Sequence, residues 1–92
     1  MDSDITHDLE RHKFYLTLES GEAHLAYAEL RPGVLDFHYT YVPPEYRHQK
    51  LAERLVAAGF AYAREHGYKV VPSCWYVARK VAESPEYREM VE

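Results

Sequence analysis

The feature that most constrains this chain is a change in hydrophobic period at Pro43-Pro44. Before the two prolines, apolar residues alternate with polar ones, which is typical of strands with one buried face. After them, apolar residues recur every three to four positions, as in a helix that buries one side. Because proline cannot donate to a strand ladder, the pair ends the last of these strands. The chain is therefore expected to pack a helix against a sheet.

Three alternating segments before the prolines predict an antiparallel meander. The turn pairs Ser20-Gly21 and Pro32-Gly33 separate them, and glycine accepts the positive φ that such turns need. In chain order the predicted strands are 13–20, 22–31 and 34–42. The polar, aperiodic residues 1–8 are expected to form a loose lead-in. The first strand would then be an exposed edge, which allows a monomer or a weak homodimer formed by edge pairing.

The remainder of the chain predicts helix, strand and helix. The helical period runs from about Arg47 to His66-Gly67, and a strand follows at 68–72. A helix between two strands implies a crossover to a parallel neighbour. Ser73 is expected to cap a second helix over 74–83, and Ser84-Pro85 a last short turn. We therefore predict one α/β (α+β) domain over 1–92, β-β-β-α-β-α, with a mostly antiparallel mixed sheet packed by two helices.

Composition excludes several classes of function. The 92 residues carry a net charge of −4, which argues against nucleic acid or an anionic membrane as the main partner. No apolar run approaches the roughly 18 residues of a membrane span, and the first residues are acidic where a signal peptide would be basic. The single cysteine fits a reducing, cytoplasmic setting. The six histidines lack the close spacing of a metal site, so no metal is predicted.

The segment 41–52 ends a strand, turns and begins a helix within a few residues. The first N–H groups of a helix have no internal partners and carry about half a positive charge between them. Such a turn holds a pyrophosphate without a strongly basic patch, and Arg47 and Lys50 would add positive charge beside it. The alternative is a plain strand–helix connection with solvated basic residues.

Two blocks of sequence, one at this turn and one after it, narrow the functional interpretation of the turn. The first is Val42-Pro43-Pro44-Glu45-Tyr46-Arg47 followed, five positions on, by Ala52; the second is Lys69-Val70-Val71-Pro72-Ser73-Cys74-Trp75-Tyr76-Val77. In this order and at this separation they resemble the acyl-CoA pyrophosphate motif and the signature of a minimal, single-domain branch of the GCN5-related N-acetyltransferases. Ser84-Pro85-Glu86-Tyr87 matches the closing segment of that branch. The resemblance runs from about Lys13 to Tyr87.

The resemblance implies a domain that binds acetyl-CoA, or coenzyme A, and acetylates an amine on a small molecule or a protein lysine. The pantetheine arm would lie along the end of the third predicted strand and the pyrophosphate on the turn after it. The implied cofactor-binding residues are Thr40, Tyr41, Val42, Arg47, His48, Gln49, Lys50, Leu51 and Ala52. The acidic net charge favours a cationic acceptor.

Three positions depart from the family pattern. Lys50 stands where the family has a glycine, so its side chain either contacts phosphate or crowds the cofactor. His48 replaces another glycine that is frequent in the branch. Tyr39 stands where several relatives carry a histidine; adjacent strand residues face opposite sides, so the neighbouring His38 cannot simply replace it. His24 and His38 both fall on predicted strands and could face each other.

Cys74, His38 and Tyr39 are the predicted catalytic residues. Cys74 is expected in the first turn of the second helix, where a helix N-terminus stabilises the thiolate. The resemblance places it near the acetyl group, as an acyl acceptor or a proton relay, and the alternative is a small buried hydrophobe. His38 or Tyr39 would aid proton removal from the amine. Trp75 and Tyr76 are expected to pack the last helix or to line an acceptor pocket.

Two other classes of function stay open. One is a CoA-binding module with weak or lost catalysis, which the departures at Lys50 and Tyr39 suggest. The other is a small protein-interaction domain on the same fold. A thermal-unfolding experiment with CoA separates the protein-interaction domain from a CoA-binding domain. Only a ligand that binds the native state raises the midpoint of thermal unfolding.

Overall fold

The computed structural model describes residues 4–92 and contains a five-stranded sheet. The strands, which lie in the sheet in chain order, are β1 (Thr6–Asp8), β2 (Lys13–Leu18), β3 (Gly21–Arg31), β4 (Val34–Tyr41) and β5 (Lys69–Val71). The helices are a 3-10 helix (Pro44–Gln49), α1 (Leu51–Glu65), α2 (Trp75–Glu83) and α3 (Pro85–Arg88). The predicted mixed α+β architecture is confirmed.

The first four strands pair antiparallel and the fifth pairs parallel to β4. The predicted meander is therefore present as β2, β3 and β4. The chain returns from the end of β4 to β5 through α1, as the parallel pairing requires. Ser84 Oγ accepts a hydrogen bond from Tyr87 N at 3.2 Å and caps α3 as predicted, and Gly67 has the positive φ of 72° expected after α1.

The helices pack on one face of the sheet. The buried side chains of α1 and α2 form one cluster with those of the strands, including Leu25 and Phe37. The Phe37 and Phe60 rings meet edge to face with centroids 5.4 Å apart. Gly59 lets α1 approach closely, because a Cβ there would lie 2.8 Å from Leu25 Cδ2 and 3.0 Å from Phe37 Cε2. The large apolar residues of the predicted strands thus support the helices.

The N-terminal segment differs from the expected lead-in. Residues 1–3 lie outside the described part, but Thr6–Asp8 pairs with β2 as β1. His7 explains why this polar segment docks: its ring stacks on Phe14 at 4.0 Å and meets Tyr62 at 4.4 Å, and its Nε2 lies 2.6 Å from the Tyr27 hydroxyl. β1 therefore covers Lys13–Tyr15 of β2, and the expectation of an exposed first strand is wrong for this part. Leu16–Leu18 has no strand on that edge in the described chain.

Two helix starts also differ from the prediction. The main helix begins at Leu51 rather than near Arg47, because Lys50 adopts a left-handed conformation with φ 60° and separates it from the 3-10 helix. Cys74 has extended backbone and is the N-cap of α2, so it lies before the first turn, and the predicted cap Ser73 lies one residue further out. Within residues 4–92, none of the helices is long and apolar enough to cross a membrane.

Candidate functional site

A β-bulge at His38 shapes the candidate site. Across β3 and β4, Ala26 pairs with Tyr39 and Tyr27 with Phe37, so His38 is the extra residue that has no partner on β3. A bulge bends its strand and increases the local twist. On the other edge of β4, β5 pairs only with Val34–Asp36. Beyond the bulge, from Tyr39 to Tyr41, this edge of β4 has no strand partner in the described chain.

A cleft of about 680 Å³ opens beside this unpaired edge. Its walls are the end of β4, the turn into α1 and the start of α2. Seven of the twelve predicted site residues line it: Tyr39, Thr40, Tyr41, Val42, Arg47, Lys50 and Ala52. Glu53, Trp75 and Tyr76 complete the lining. The structure thus brings the end of the strand and the following turn together around one space.

The other predicted site residues lie outside the cleft lining. His38 is exposed at the bulge, and His48 and Gln49 are exposed on the 3-10 helix. Leu51 is buried in the core, where its side chain anchors the start of α1. Cys74 is 7% exposed and lies behind the lining residue Thr40, with its Sγ 3.5 Å from Thr40 Oγ1.

One end of the cleft offers positive charge and free donors. α1 begins with no side-chain cap, so the N–H groups of Leu51, Ala52 and Glu53 lack helical partners. Lys50 precedes them, and Arg47 is fixed by a 2.8 Å hydrogen bond from its Nε to the Val42 carbonyl. This end of the cleft is therefore suited to an anion.

Glu53 is the acidic residue of this first turn and also lines the cleft. Its Oε2 accepts a hydrogen bond from Lys80 Nζ at 3.1 Å. The Lys80 ammonium also lies 3.2 Å from Glu83 Oε1. Its hydrogen bonds to the two carboxylates raise the pKa of Lys80. The ion pair with Lys80 therefore offsets a carboxylate that would otherwise weaken anion binding at the start of α1 and joins α1 to α2.

The other end of the cleft is aromatic. Trp75 is 71% exposed and Tyr39 is 50% exposed, which is unusual for side chains of this size. Tyr76 lies beside Trp75, and burial raises the pKa of Tyr76, so its hydroxyl stays protonated at neutral pH. Both residues line the cleft, and Tyr76 also packs against the core, as expected from the sequence.

Cys74 connects the bulge to α2. Its backbone N–H donates to the Phe37 carbonyl at 3.0 Å, directly before the bulge. Its thiol and the Thr40 hydroxyl face each other across the place where β4 and α2 separate. Among residues 4–92, no group of three or more histidine, cysteine, aspartate or glutamate side chains is arranged to hold a metal ion.

Comparison with known proteins points to one family. The family model described as GCN5-related N-acetyl-transferase matches residues 13–90. The chain is 30% identical over 91 residues to Protein NATD1 of Danio rerio, covering 95% of this chain and 83% of the relative. It is 29% identical over 92 residues to Protein NATD1 of Homo sapiens, covering 96% and 81%.

A solved structure shares the fold. The NMR structure of a GCN5-like protein from Staphylococcus aureus superposes with a TM-score of 0.78 at 22% sequence identity, over 96% of this chain and 86% of that one. At this identity the likeness concerns the fold alone. The match of the family model over most of the chain assigns the family: the chain belongs to the GCN5-related N-acetyl-transferases.

Proposed function

We propose that this protein binds acetyl-CoA in the cleft beside β4 and transfers the acetyl group to an amine. The observation that carries the proposal is that the unpaired edge of β4, from Tyr39 to Tyr41, and the uncapped start of α1 border the same cleft. An extended chain with amide groups can pair with such an edge as an added strand would. A diphosphate can then bind at the helix N-terminus.

The proposed phosphate end has a donor set that fits the ligand. The N–H groups of Leu51, Ala52 and Glu53 supply directed donors, and the exposed Lys50 supplies a mobile charge. Arg47 keeps further guanidinium N–H groups beyond the one that binds Val42. Because Lys50 is exposed and lines the cleft, we assign it to phosphate contact rather than to crowding.

The proposed chemistry takes place near Cys74 and Thr40. Bound acetyl-CoA supplies an activated acetyl thioester. The chain orients the thioester between β4 and α2 and excludes water with Trp75 and Tyr76, so that positioning lowers the barrier. Cys74 either donates a proton to the departing sulfur or accepts the acetyl group itself, and its 3.5 Å contact with the Thr40 hydroxyl supports the proton-transfer role.

A thermal-shift titration with CoA and acetyl-CoA, combined with intact mass spectrometry, tests the proposal. We expect a midpoint that rises with ligand concentration. A covalent adduct of about 42 Da on Cys74 would identify it as an acyl acceptor, and its absence in a protein that releases CoA would leave proton transfer. Cys74→Ala should keep the CoA shift and lose turnover, whereas Glu65→Gln, at the exposed far end of α1 from the cleft, should keep both.

Two results would favour the other functions. A CoA shift without release of CoA in the presence of amines would indicate a CoA-binding module that has lost catalysis. No shift at millimolar CoA would indicate a protein-interaction domain. We also propose a cytoplasmic location, because the single cysteine is free and the cleft chemistry uses it in its reduced form.

A further inference from the structure

A second cluster of polar side chains lies on the face of the sheet opposite the helices. His24 on β3 is flanked in register by Tyr15 on β2 and Tyr41 on β4. The next residue, Leu25, is fully buried on the helix-covered face, so His24 points to the other side. In the described chain, the helices pack on the Leu25 face. Within residues 4–92, no helix therefore covers the His24 face.

The two ring nitrogens of His24 have different surroundings. Nδ1 is buried without a well-aligned hydrogen bond, yet it lies 3.1 Å from Glu22 Oε2. The same carboxylate oxygen lies 2.6 Å from Lys13 Nζ. The His24 side chain is 24% exposed, and no side chain within residues 4–92 hydrogen-bonds to Nε2. The nearby Glu22 carboxylate favours the tautomer with the proton on Nδ1, which leaves the Nε2 lone pair available.

His24 shares a wall with the proposed acetyl-CoA cleft. Its ring centroid lies 5.6 Å from that of Tyr39 and 5.8 Å from that of Tyr41. Both tyrosines line the cleft. His38 lies next to Tyr39 in sequence, but it is exposed at the bulge and does not line the cleft. The expectation that His38 faces His24 is therefore wrong: Tyr39 and Tyr41 are the partners of His24.

We propose that His24 is the general base for the acceptor amine, an inference that rests on the proposed function. The amine approaches over the face of the sheet that carries His24. His24 Nε2 takes one proton from the ammonium group of a primary amine. The amine nitrogen then forms a bond to the acetyl carbon as the carbon–sulfur bond breaks. The second nitrogen proton passes to the departing sulfur, so the products are the acetamide, free CoA and one proton on His24 that returns to solvent.

Glu22 is the positioning residue in this scheme. Its carboxylate orients the imidazole through Nδ1 and stabilises the imidazolium that forms, while Lys13 holds the carboxylate in place. The charged or titratable groups that face His24 from its own and the neighbouring strands are Lys13, Tyr15, Glu22, Tyr39 and Tyr41. The aromatic rings at this rim suit the alkyl stem and ammonium of a lysine side chain.

The test compares the wild-type protein, His24→Gln and Glu22→Gln in CoA release from acetyl-CoA with N-acetyl-lysine amide and with spermidine as acceptors. We expect His24→Gln to lower kcat/KM by about 10²-fold and added imidazole to restore part of the activity. The fall of kcat/KM at low pH, which the wild type should show, should be absent in this variant. Glu22→Gln should cause a smaller loss and keep the fall at low pH. His66→Gln, which changes an exposed histidine at the end of α1, should keep wild-type rates.

A second readout does not depend on acetyl-CoA. Nitrogen-15 NMR of the histidine rings should show the His24 proton on Nδ1 in the wild type, and Glu22→Gln should redistribute it toward Nε2. The thermal shift with CoA should be the same in wild type and His24→Gln, because the imidazole does not line the cleft.

The outcomes separate the two proposals. No CoA shift in the wild type would overturn the proposed function, whereas a CoA shift without transfer to either amine would overturn transfer and the role of His24 together. A transfer-competent wild type whose rate and pH profile are unchanged by His24→Gln would overturn the role of His24 alone. A wild-type proton on Nε2 would likewise contradict it.

Discussion

The two halves of β4 are neighbours in sequence but differ in what they contact. Val34–Asp36 pairs with β5 on one edge and with β3 on the other. After the bulge, Tyr39–Tyr41 pairs with β3 alone and lines the cleft. One strand therefore supports the fold with its first half and presents an open edge with its second. The difference shows how a small domain forms a binding cleft without an added loop.

The bulge and the start of α2 produce this difference. His38 lacks a partner on β3, and the Phe37 carbonyl directly before it accepts the Cys74 N–H at 3.0 Å. That hydrogen bond joins the chain after β5 to β4 one residue before the bulge. Because the two elements diverge from this point, the space between them widens into the cleft. Substitutions in the two halves should therefore affect different properties.

The largest expected effect concerns the paired half. Leu35 is buried and pairs with Val70 across the parallel ladder. Leu35→Ala should lower the free energy of unfolding by about 3 kcal/mol, because it leaves a cavity in the core. Tyr41→Ala, in the open half, should cost about 1 kcal/mol. Urea unfolding of both variants measures the contrast, and equal losses would mean that the two halves do not differ in this way.

A somewhat smaller effect is expected where α1 meets the sheet. A Cβ at Gly59 would come within 3.0 Å of Leu25 and Phe37 atoms. Gly59→Val should destabilise the fold by about 2 kcal/mol through overpacking. Gly59→Ala should cost less, because the gain in helix propensity of about 1 kcal/mol offsets part of the strain. A stabilised Gly59→Val in thermal unfolding would contradict the close packing of α1.

Lys50 should show opposite effects on stability and binding. Its φ of 60° disfavours any residue with a Cβ, so Lys50→Gly should stabilise the fold by about 1 kcal/mol. The same change removes the ammonium beside the start of α1 and should weaken CoA binding about fivefold. Calorimetric titration at two salt concentrations measures the loss. Tighter CoA binding by the glycine variant would show that Lys50 crowds the cleft instead.

The smallest expected effect concerns the opposite edge of the sheet. Burial and the nearby His66 and His12 lower the pKa of His7, while Asp8 acts in the other direction. Burial raises the pKa of Tyr27 to about 12, so its hydroxyl stays protonated, and it is hydrogen-bonded to His7 Nε2 at 2.6 Å. The unfolded chain binds a proton at His7 near pH 6.5 and the folded chain only at lower pH.

The stability that neutral His7 provides is thus present above about pH 6.5 and is lost as the pH falls toward the folded pKa. Urea unfolding between pH 7.5 and 5 should show this loss, and His7→Gln should reduce it. The rise in unfolding midpoint that CoA causes should be the same in wild type and His7→Gln, because β1 does not line the cleft. An equal pH dependence in both proteins would exclude His7 as its source.

Much of the fold could be predicted because local patterns and tertiary packing agree. The turns at Ser20-Gly21 and Pro32-Gly33 and the helical period after Pro43-Pro44 each specify one outcome. β1 was missed because Thr6–Asp8 has no alternation; the His7 contacts with Phe14 and Tyr62 hold it in place. The left-handed Lys50 was missed because its residue type does not require that conformation.

The candidate site could be predicted in part for a similar reason. The end of β4 and the turn after it are contiguous in sequence, so their residues were found together. The bulge at His38 depends on register with β3, which no local pattern reveals. His24 becomes a candidate only when its neighbours Tyr39 and Tyr41 are known to line the cleft. Contacts between strands, rather than motifs, assign it.

The most direct test of the central claim is a titration of the nitrogen-15-labelled protein with CoA, followed by amide NMR. We predict saturable shifts concentrated at Tyr39–Val42 and at Lys50–Glu53, with small changes at Val34–Asp36. That result would show that the open half of β4 and the start of α1 bind the cofactor. Shifts confined to other surfaces, or none at millimolar CoA, would contradict it.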